Sequence, residues 1–150
     1  MDLILWRHAD AQPGEIDLTR PLTSKGRRQA SGMATWLEKH LPDSARVLTS
    51  PALRATETAD ALGRKYKTLA ELAPGGQAVS VLAAADWPDN RHPIVVVGHQ
   101  PALGRLAALL LFGEEQELSM RKGAVWWFTN RSREDGHRIT LRAAVCPDFL

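Results

Sequence analysis

Ile94-Val95-Val96-Val97-Gly98-His99-Gln100-Pro101 is the stretch on which the fold turns. Four β-branched residues run without polar alternation, the pattern of a strand covered on both faces in the middle of a parallel sheet. Gly98-His99 ends the strand, and Pro101 starts a helix through Leu103, Leu106, Ala107 and Leu110. Towards the N-terminus, Leu3 to Trp6 form a second short apolar run closed by Arg7-His8. Arg46 to Thr49 make a further brief strand, followed by Ser50-Pro51, which reads as an N-cap and a proline at the first position of a helix.

The segments between are helical or loop-like. Asp10 to Pro21 holds Pro13, Gly14, Asp17 and Pro21 without periodicity and predicts a long loop. Thr23 or Ser24 can cap a helix whose Ala30, Met33, Ala34, Leu37 and Leu41 follow the i, i+3, i+4, i+7 rule, closed by Pro42. Ala52, Ala55, Thr56, Ala59 and Leu62 line one face of the helix after Pro51, with Arg54 in its first turn. Thr68 to Leu72 predicts a further strand and Gln77 to Asp86 a modest helix. Two late strands, Ala124 to Phe128 and Arg138 to Val145, are joined by a polar turn from Thr129 to His137. Alternating strands and helices predict an α/β fold: a three-layer α/β/α sandwich with a mainly parallel central sheet and a C-terminal antiparallel hairpin.

Composition narrows the classes. At 150 residues, 44% hydrophobic and 24% charged, residues 1–150 are expected to form a single globular domain. Lys and Arg total 19 against 17 Asp and Glu, without a basic run, so neither nucleic acid nor a membrane surface is an expected partner. Cys146 is the only cysteine, which rules out an intrachain disulfide and a Cys-based zinc site and fits a reducing, cytoplasmic location. No signal-peptide pattern opens the chain, and the apolar stretch from Leu103 to Phe112 is about half the ~20 residues of a membrane span. His40, His92 and His137 fall in polar turns or at a helix end and read as solvated; the five Trp read as packing.

Arg7-His8, Ser50 to Arg54 and Gly98-His99 each follow a strand. Ligands of open parallel sheets bind beyond the strands' carboxyl ends, so two Arg and two His should meet there in a site for a dense anion such as a phosphoryl group. The motifs Arg7-His8-Ala9, Ser50-Pro51-Ala52-Leu53-Arg54-Ala55-Thr56-Glu57-Thr58-Ala59 and Val97-Gly98-His99-Gln100-Pro101 resemble the signature of the histidine phosphatase (phosphoglycerate mutase-like) superfamily. Arg20-Pro21-Leu22-Thr23 with Gly26, and Glu71-Leu72-Ala73-Pro74-Gly75-Gly76, resemble its SixA-type phosphohistidine phosphatases. Ala9 stands where the larger superfamily usually has Gly, which implies an ordinary backbone there and a slightly tighter pocket.

The resemblance implies a metal-independent, cofactor-free hydrolase with His8 as catalytic nucleophile and a covalent phospho-His8 intermediate. It implies that Arg7 and Arg54 clamp the phosphoryl oxygens, with His99 as a further contact, protonated or at least donating. Glu71 is the candidate proton donor. The implied substrate is phosphohistidine on a signalling phosphotransfer domain, and a monomer is expected. Three other readings compete: a phosphomonoesterase acting on small phosphorylated metabolites, a non-catalytic phosphoprotein-binding module, and a metal hydrolase built on His8, Asp10 and His99. The last is poorly supplied, because a catalytic zinc site takes three ligands and avoids neighbouring guanidinium groups. Residue by residue there are plainer roles: Arg54 could pair with Glu57 along the helix, His99 could be a core histidine and Glu71 a surface carboxylate.

Overall fold

The computed structural model describes residues 1–133 and 136–150, and for positions 132, 133 and 137 the backbone alone. Six strands form one sheet: β1 (Asp2–Arg7), β2 (Arg46–Thr49), β3 (Lys67–Thr68), β4 (Ile94–Gly98), β5 (Val125–Arg133) and β6 (Gly136–Val145), in the order β3-β2-β4-β1-β5-β6. β3, β2, β4 and β1 run parallel, while β5 and β6 add antiparallel strands beside β1.

Period-two alternation distributes the central strands between two cores. Ile4, Trp6, Val95 and Val97 pack with Met33, Ala34 and Leu37 of α1 (Ser24–His40) and Ala55 and Ala59 of α2 (Leu53–Asp60). Leu3, Leu5, Ile94 and Val96 pack on the other face with Val81 of α3 (Ala78–Ala84) and Leu103 and Leu106 of α4 (Ala102–Phe112). Both faces are covered, as the unalternating Ile94 to Val97 run requires.

Thr23 is the N-cap of α1, its hydroxyl accepting from Gly26 N at 2.9 Å. Gly26 sits under the segment that follows His8: a Cβ there would run into the Asp10 carbonyl. Gly26→Ala is therefore expected to cost about 2–4 kcal/mol, from overpacking against backbone that cannot yield. Denaturant unfolding checks this, and a loss below ~0.5 kcal/mol would contradict it.

Three expected boundaries move. The helix after Pro51 begins at Leu53, with Ala52 extended before it as the N-cap residue; the Ser50 hydroxyl oxygen accepts from Ala52 N at 3.1 Å and lies 2.7 Å from His99 Nε2. β3 has only two residues; Leu69 N still bonds Thr49 O at 3.0 Å, but the chain then curls into a 3₁₀ turn, Ala70–Leu72, that buries Leu72 against α3 and α4. The polar stretch read as a turn from Thr129 is largely strand, since Thr129 and Asn130 are satisfied by the N-terminus: Thr129 Oγ1 donates to Asp2 Oδ1 at 2.6 Å and Asn130 N to Met1 O at 2.8 Å. His40 is exposed and His92 half-buried, while the His137 side chain lies outside the described residues.

Candidate active site

The register of the central strands sets the site. Arg7 pairs with Gly98 and Thr49 with Val97, and the ladder continues past the strand ends through His8 N to Gly98 O and Ser50 N to Val97 O, both 3.0 Å. His8, Ser50 and His99 thereby come level at the carboxyl edge, and Arg54 joins them from the first turn of α2. The structure thus brings together four of the five residues singled out from sequence. The His8 and His99 rings lie 5.1 Å apart, centre to centre.

His8 Nδ1 lies 2.7 Å from the Ala9 carbonyl oxygen. A carbonyl only accepts, so Nδ1 carries the proton and Nε2 keeps its lone pair. Ala9 is buried and has no left-handed backbone, and its N–H donates to Thr58 Oγ1 at 3.0 Å. Thr58 in turn donates to Arg54 O at 2.7 Å, which ties the segment after His8 to the helix bearing Arg54. Burial, and behind it the charges of Arg54, Arg7 and Arg20, push His8 down to about 4 against the opposing pull of the Ala9 carbonyl.

His99 is pushed to about 3 by burial first, then by His8 and Arg54. Both causes disfavour the charged ring, so of the two forms expected for His99, protonated or at least donating, they favour the neutral one. Its Nε2 lies 2.7 Å from Ser50 Oγ, an oxygen that already accepts from Ala52 N at 3.1 Å. With the Ser50 hydroxyl proton donated to Nε2, a neutral His99 carries its own proton on Nδ1; with Ser50 accepting from Nε2, that proton lies on Nε2 itself. Nδ1 of His99 and Nε of Arg7 are buried and have no hydrogen-bond partner among the described residues, and Nη1 of Arg7 is anchored on Met120 O at 2.7 Å.

Both imidazoles are harder to protonate folded than unfolded. Stability should therefore fall as pH drops below the ordinary histidine value of 6.5, until His8 itself protonates near 4. Melting temperatures measured from pH 7 to 4 check this: the decline should be shallower in His99→Ala, and an unchanged slope would contradict the assignment.

Arg54 does not pair with Glu57. Glu57 accepts from Leu22 N and Arg27, whereas Arg54 donates Nη1 to Asp17 O at 2.8 Å and Nη2 to Asp17 Oδ2 at 3.1 Å. Asp17 and Arg20 sit in the long loop, where no periodicity marks Asp17 and only the family resemblance marks Arg20; Ser50 reads from sequence as a cap and as part of a strand-end motif. Glu71 is exposed in the 3₁₀ turn and its side chain makes no hydrogen bond or ion pair among the described residues, although it and His99 line the same small enclosed cavity. Among the described residues no group of three His, Cys, Asp or Glu is placed to hold a metal ion, so His8, Asp10 and His99 do not form one. A larger cavity lies away from all of this, beside Arg46 and Ile94 at the opposite end of the strands.

A family model described as the histidine phosphatase superfamily (branch 1) matches residues 3–75. Phosphohistidine phosphatase SixA of Escherichia coli K12 is 34% identical over 123 residues, covering 76% of each chain. A SixA homologue of Haemophilus influenzae is 26% identical over 151 residues, 88% of this chain and 92% of its own. A solved structure of the protein histidine phosphatase SixA complexed with tungstate superposes with a TM-score of 0.83 at 30% identity, over 99% of both chains.

Proposed function

The chain belongs to the histidine phosphatase superfamily, and we propose that it is a phosphohistidine phosphatase that removes phosphate from a histidine of a phosphorylated protein through a phospho-His8 intermediate. The observation that carries the chemistry is the His8 tautomer, with Nδ1 committed to the Ala9 carbonyl and Nε2 unprotonated beside two guanidinium groups. In the first step the Nε2 lone pair forms a bond to phosphorus in line as the bond to the leaving imidazole breaks, and that nitrogen takes up a proton. Water then attacks phospho-His8, releasing phosphate and restoring the neutral ring. Arg7 and Arg54 oppose the charge on the phosphoryl oxygens, and His99 donates from Nδ1.

Arginine supplies the charge that a metal ion supplies elsewhere, so dialysis against a chelator is expected to leave turnover unchanged; loss restored by a divalent ion would refute this. Glu71 is the proton donor proposed for an ester leaving group, and imidazole needs it less. The reading takes residues 1–150 as one catalytic domain, acting as a monomer in the cytoplasm. No helix among the described residues is long and apolar enough to cross a membrane.

A protein substrate is favoured over a small metabolite by the rim. Ile16 and Leu18 flank Asp17 and are 67% and 51% exposed, and Leu53 beside Arg54 is 37% exposed. The Asp17–Thr19 turn packs against α2, so these side chains form an apolar border that a sugar phosphate would not use. The test compares kcat/KM on a phosphohistidine protein, on sugar phosphates and on p-nitrophenyl phosphate. The protein should be preferred by about two orders of magnitude, the scale on which one or two apolar contacts discriminate; equal rates would favour the phosphomonoesterase reading. Because nucleophilic attack needs neutral His8, kcat/KM should be flat at neutral pH and fall as pH drops through about 4. A pH–rate profile with an acid limb near 6.5 would contradict this.

A further inference from the structure

The acceptor that fixes the His8 tautomer is a backbone carbonyl, so it is only as steady as the peptide unit that carries it. That unit joins Ala9 to Asp10. Its C=O lies 2.7 Å from His8 Nδ1, and its N–H, on Asp10, donates to Oε1 of Gln29 at 2.9 Å. Because an N–H only donates, the Gln29 atom that meets it is the amide oxygen. The preceding peptide unit is held from the other helix, through Ala9 N–H to Thr58 Oγ1. Gln29 lies on α1, which is itself strapped to this segment. Thr23 N donates to Asp10 O at 3.0 Å, the Thr23 hydroxyl donates to Asp10 Oδ2 at 2.7 Å, and Gly26 leaves room for the Asp10 carbonyl against the helix. Met33, Ala34 and Leu37 anchor the same helix in the core, and a side chain on such an element is placed more precisely than one on a loop.

We infer that Gln29 is a positioning residue for the nucleophile: by accepting from Asp10 N–H it holds the Ala9–Asp10 peptide with its carbonyl on His8 Nδ1, and so keeps the lone pair on Nε2. This role rests on the reading of His8 as nucleophile. The two hydrogen bonds lie on opposite sides of one amide, so donation to Gln29 polarises the peptide and strengthens its carbonyl as an acceptor. The Ala9 carbonyl pulls His8 upward against burial and the arginines. Its loss lets His8 fall below about 4, whereas a pocket merely loosened to water lets His8 rise towards 6.5. The sign of the shift separates positioning from general damage.

The test is nitrogen NMR of the histidine rings in the full chain, with steady-state kinetics on the same variants. The His8 signals, assigned by their loss in His8→Ala, should show a protonated Nδ1 and an unprotonated Nε2 at neutral pH. Gln29→Leu should populate the other tautomer and lower kcat by about tenfold or more, the scale on which removal of a histidine's orienting partner acts, with KM changed by less than about threefold. Gln29→Glu keeps an acceptor oxygen and should retain the wild-type ring signals and most of kcat. Gln29 is half-buried, so Gln29→Leu should fold, as circular dichroism checks, and Gln29→Met repeats the comparison with an unbranched side chain. Wild-type tautomer and turnover in a folded Gln29→Leu or Gln29→Met overturn the proposal, as does a His8 that moves up towards 6.5 in them. The ring signals are read without substrate, so a failure of positioning is separate from a failure of the phosphatase reading, which would show as absent turnover in the wild type.

Discussion

Replacing His8 with alanine is expected to lower phosphate release by about 10⁴-fold or more, the scale on which loss of a covalent nucleophile acts. Alanine leaves Arg7, Arg54 and His99 in place, so substrate binding should persist while the step they assist has no attacking lone pair. The variant separates nucleophile from binding residue. Wild-type protein quenched in alkali after reaction with a radiolabelled phosphohistidine protein should retain label on the chain, and His8→Ala should retain none. The fold should survive, because His8 contributes one hydrogen bond to the Ala9 carbonyl and no part of either apolar core. Turnover within about tenfold of wild type would remove His8 from the mechanism, and the phosphoprotein-binding reading would follow if the wild type also failed to turn over.

Arg54→Ala should lower kcat by about 10²–10³-fold, the loss typical of removing a preorganised charged donor from a developing oxyanion. The side chain is only 6% exposed, so its charge acts in a site with little water to screen it. Arg54→Lys should recover little: an ammonium group cannot bridge the Asp17 carbonyl and carboxylate as the two Nη atoms do and still present a planar edge to the phosphoryl group. Steady-state kinetics with vanadate inhibition decides it, since loss of the clamp weakens both kcat and inhibitor affinity. Wild-type behaviour in Arg54→Lys would show that Arg54 contributes only a point charge.

The two arginine experiments bear on how this pocket is built. Arg7 extends from a strand whose hydrogen-bond ladder holds it on both sides, and Arg54 from a helix whose first turn is tied to the His8 segment through Thr58. Arg20 comes from the loop between β1 and α1. Among the described residues its guanidinium is held by Gln12 and Asp17, so variants of Asp17 should affect Arg20 more than Arg7.

Much of this site could be read from the chain because its parts follow strands. Leu3 to Trp6 and Ile94 to Val97 are apolar runs that have to be buried, and whatever polar residue follows such a run in a parallel sheet emerges at the same edge. His8, Arg54 and His99 were legible for that reason. Burial patterning also located the helices, since their apolar faces repeat at 3.6 residues, but it could not locate the end of β3 or the reach of β5. Those depend on partners: the chain turns after Thr68 to bury Leu72, and Thr129 and Asn130 remain in strand because the N-terminus supplies their hydrogen bonds.

The sequence by itself determined that two histidines and two arginines would share one edge of a parallel sheet, because strand direction and burial are local consequences of composition and period. Tertiary structure alone decided their protonation states and connections. It placed the Ala9 carbonyl on His8 Nδ1, set the Ser50 hydroxyl beside His99 Nε2, and spent Asp17 on Arg54 and Arg20. Proton position and ion pairing depend on burial and on distances of about 3 Å between groups far apart along the chain, and neither has a period that a sequence can display.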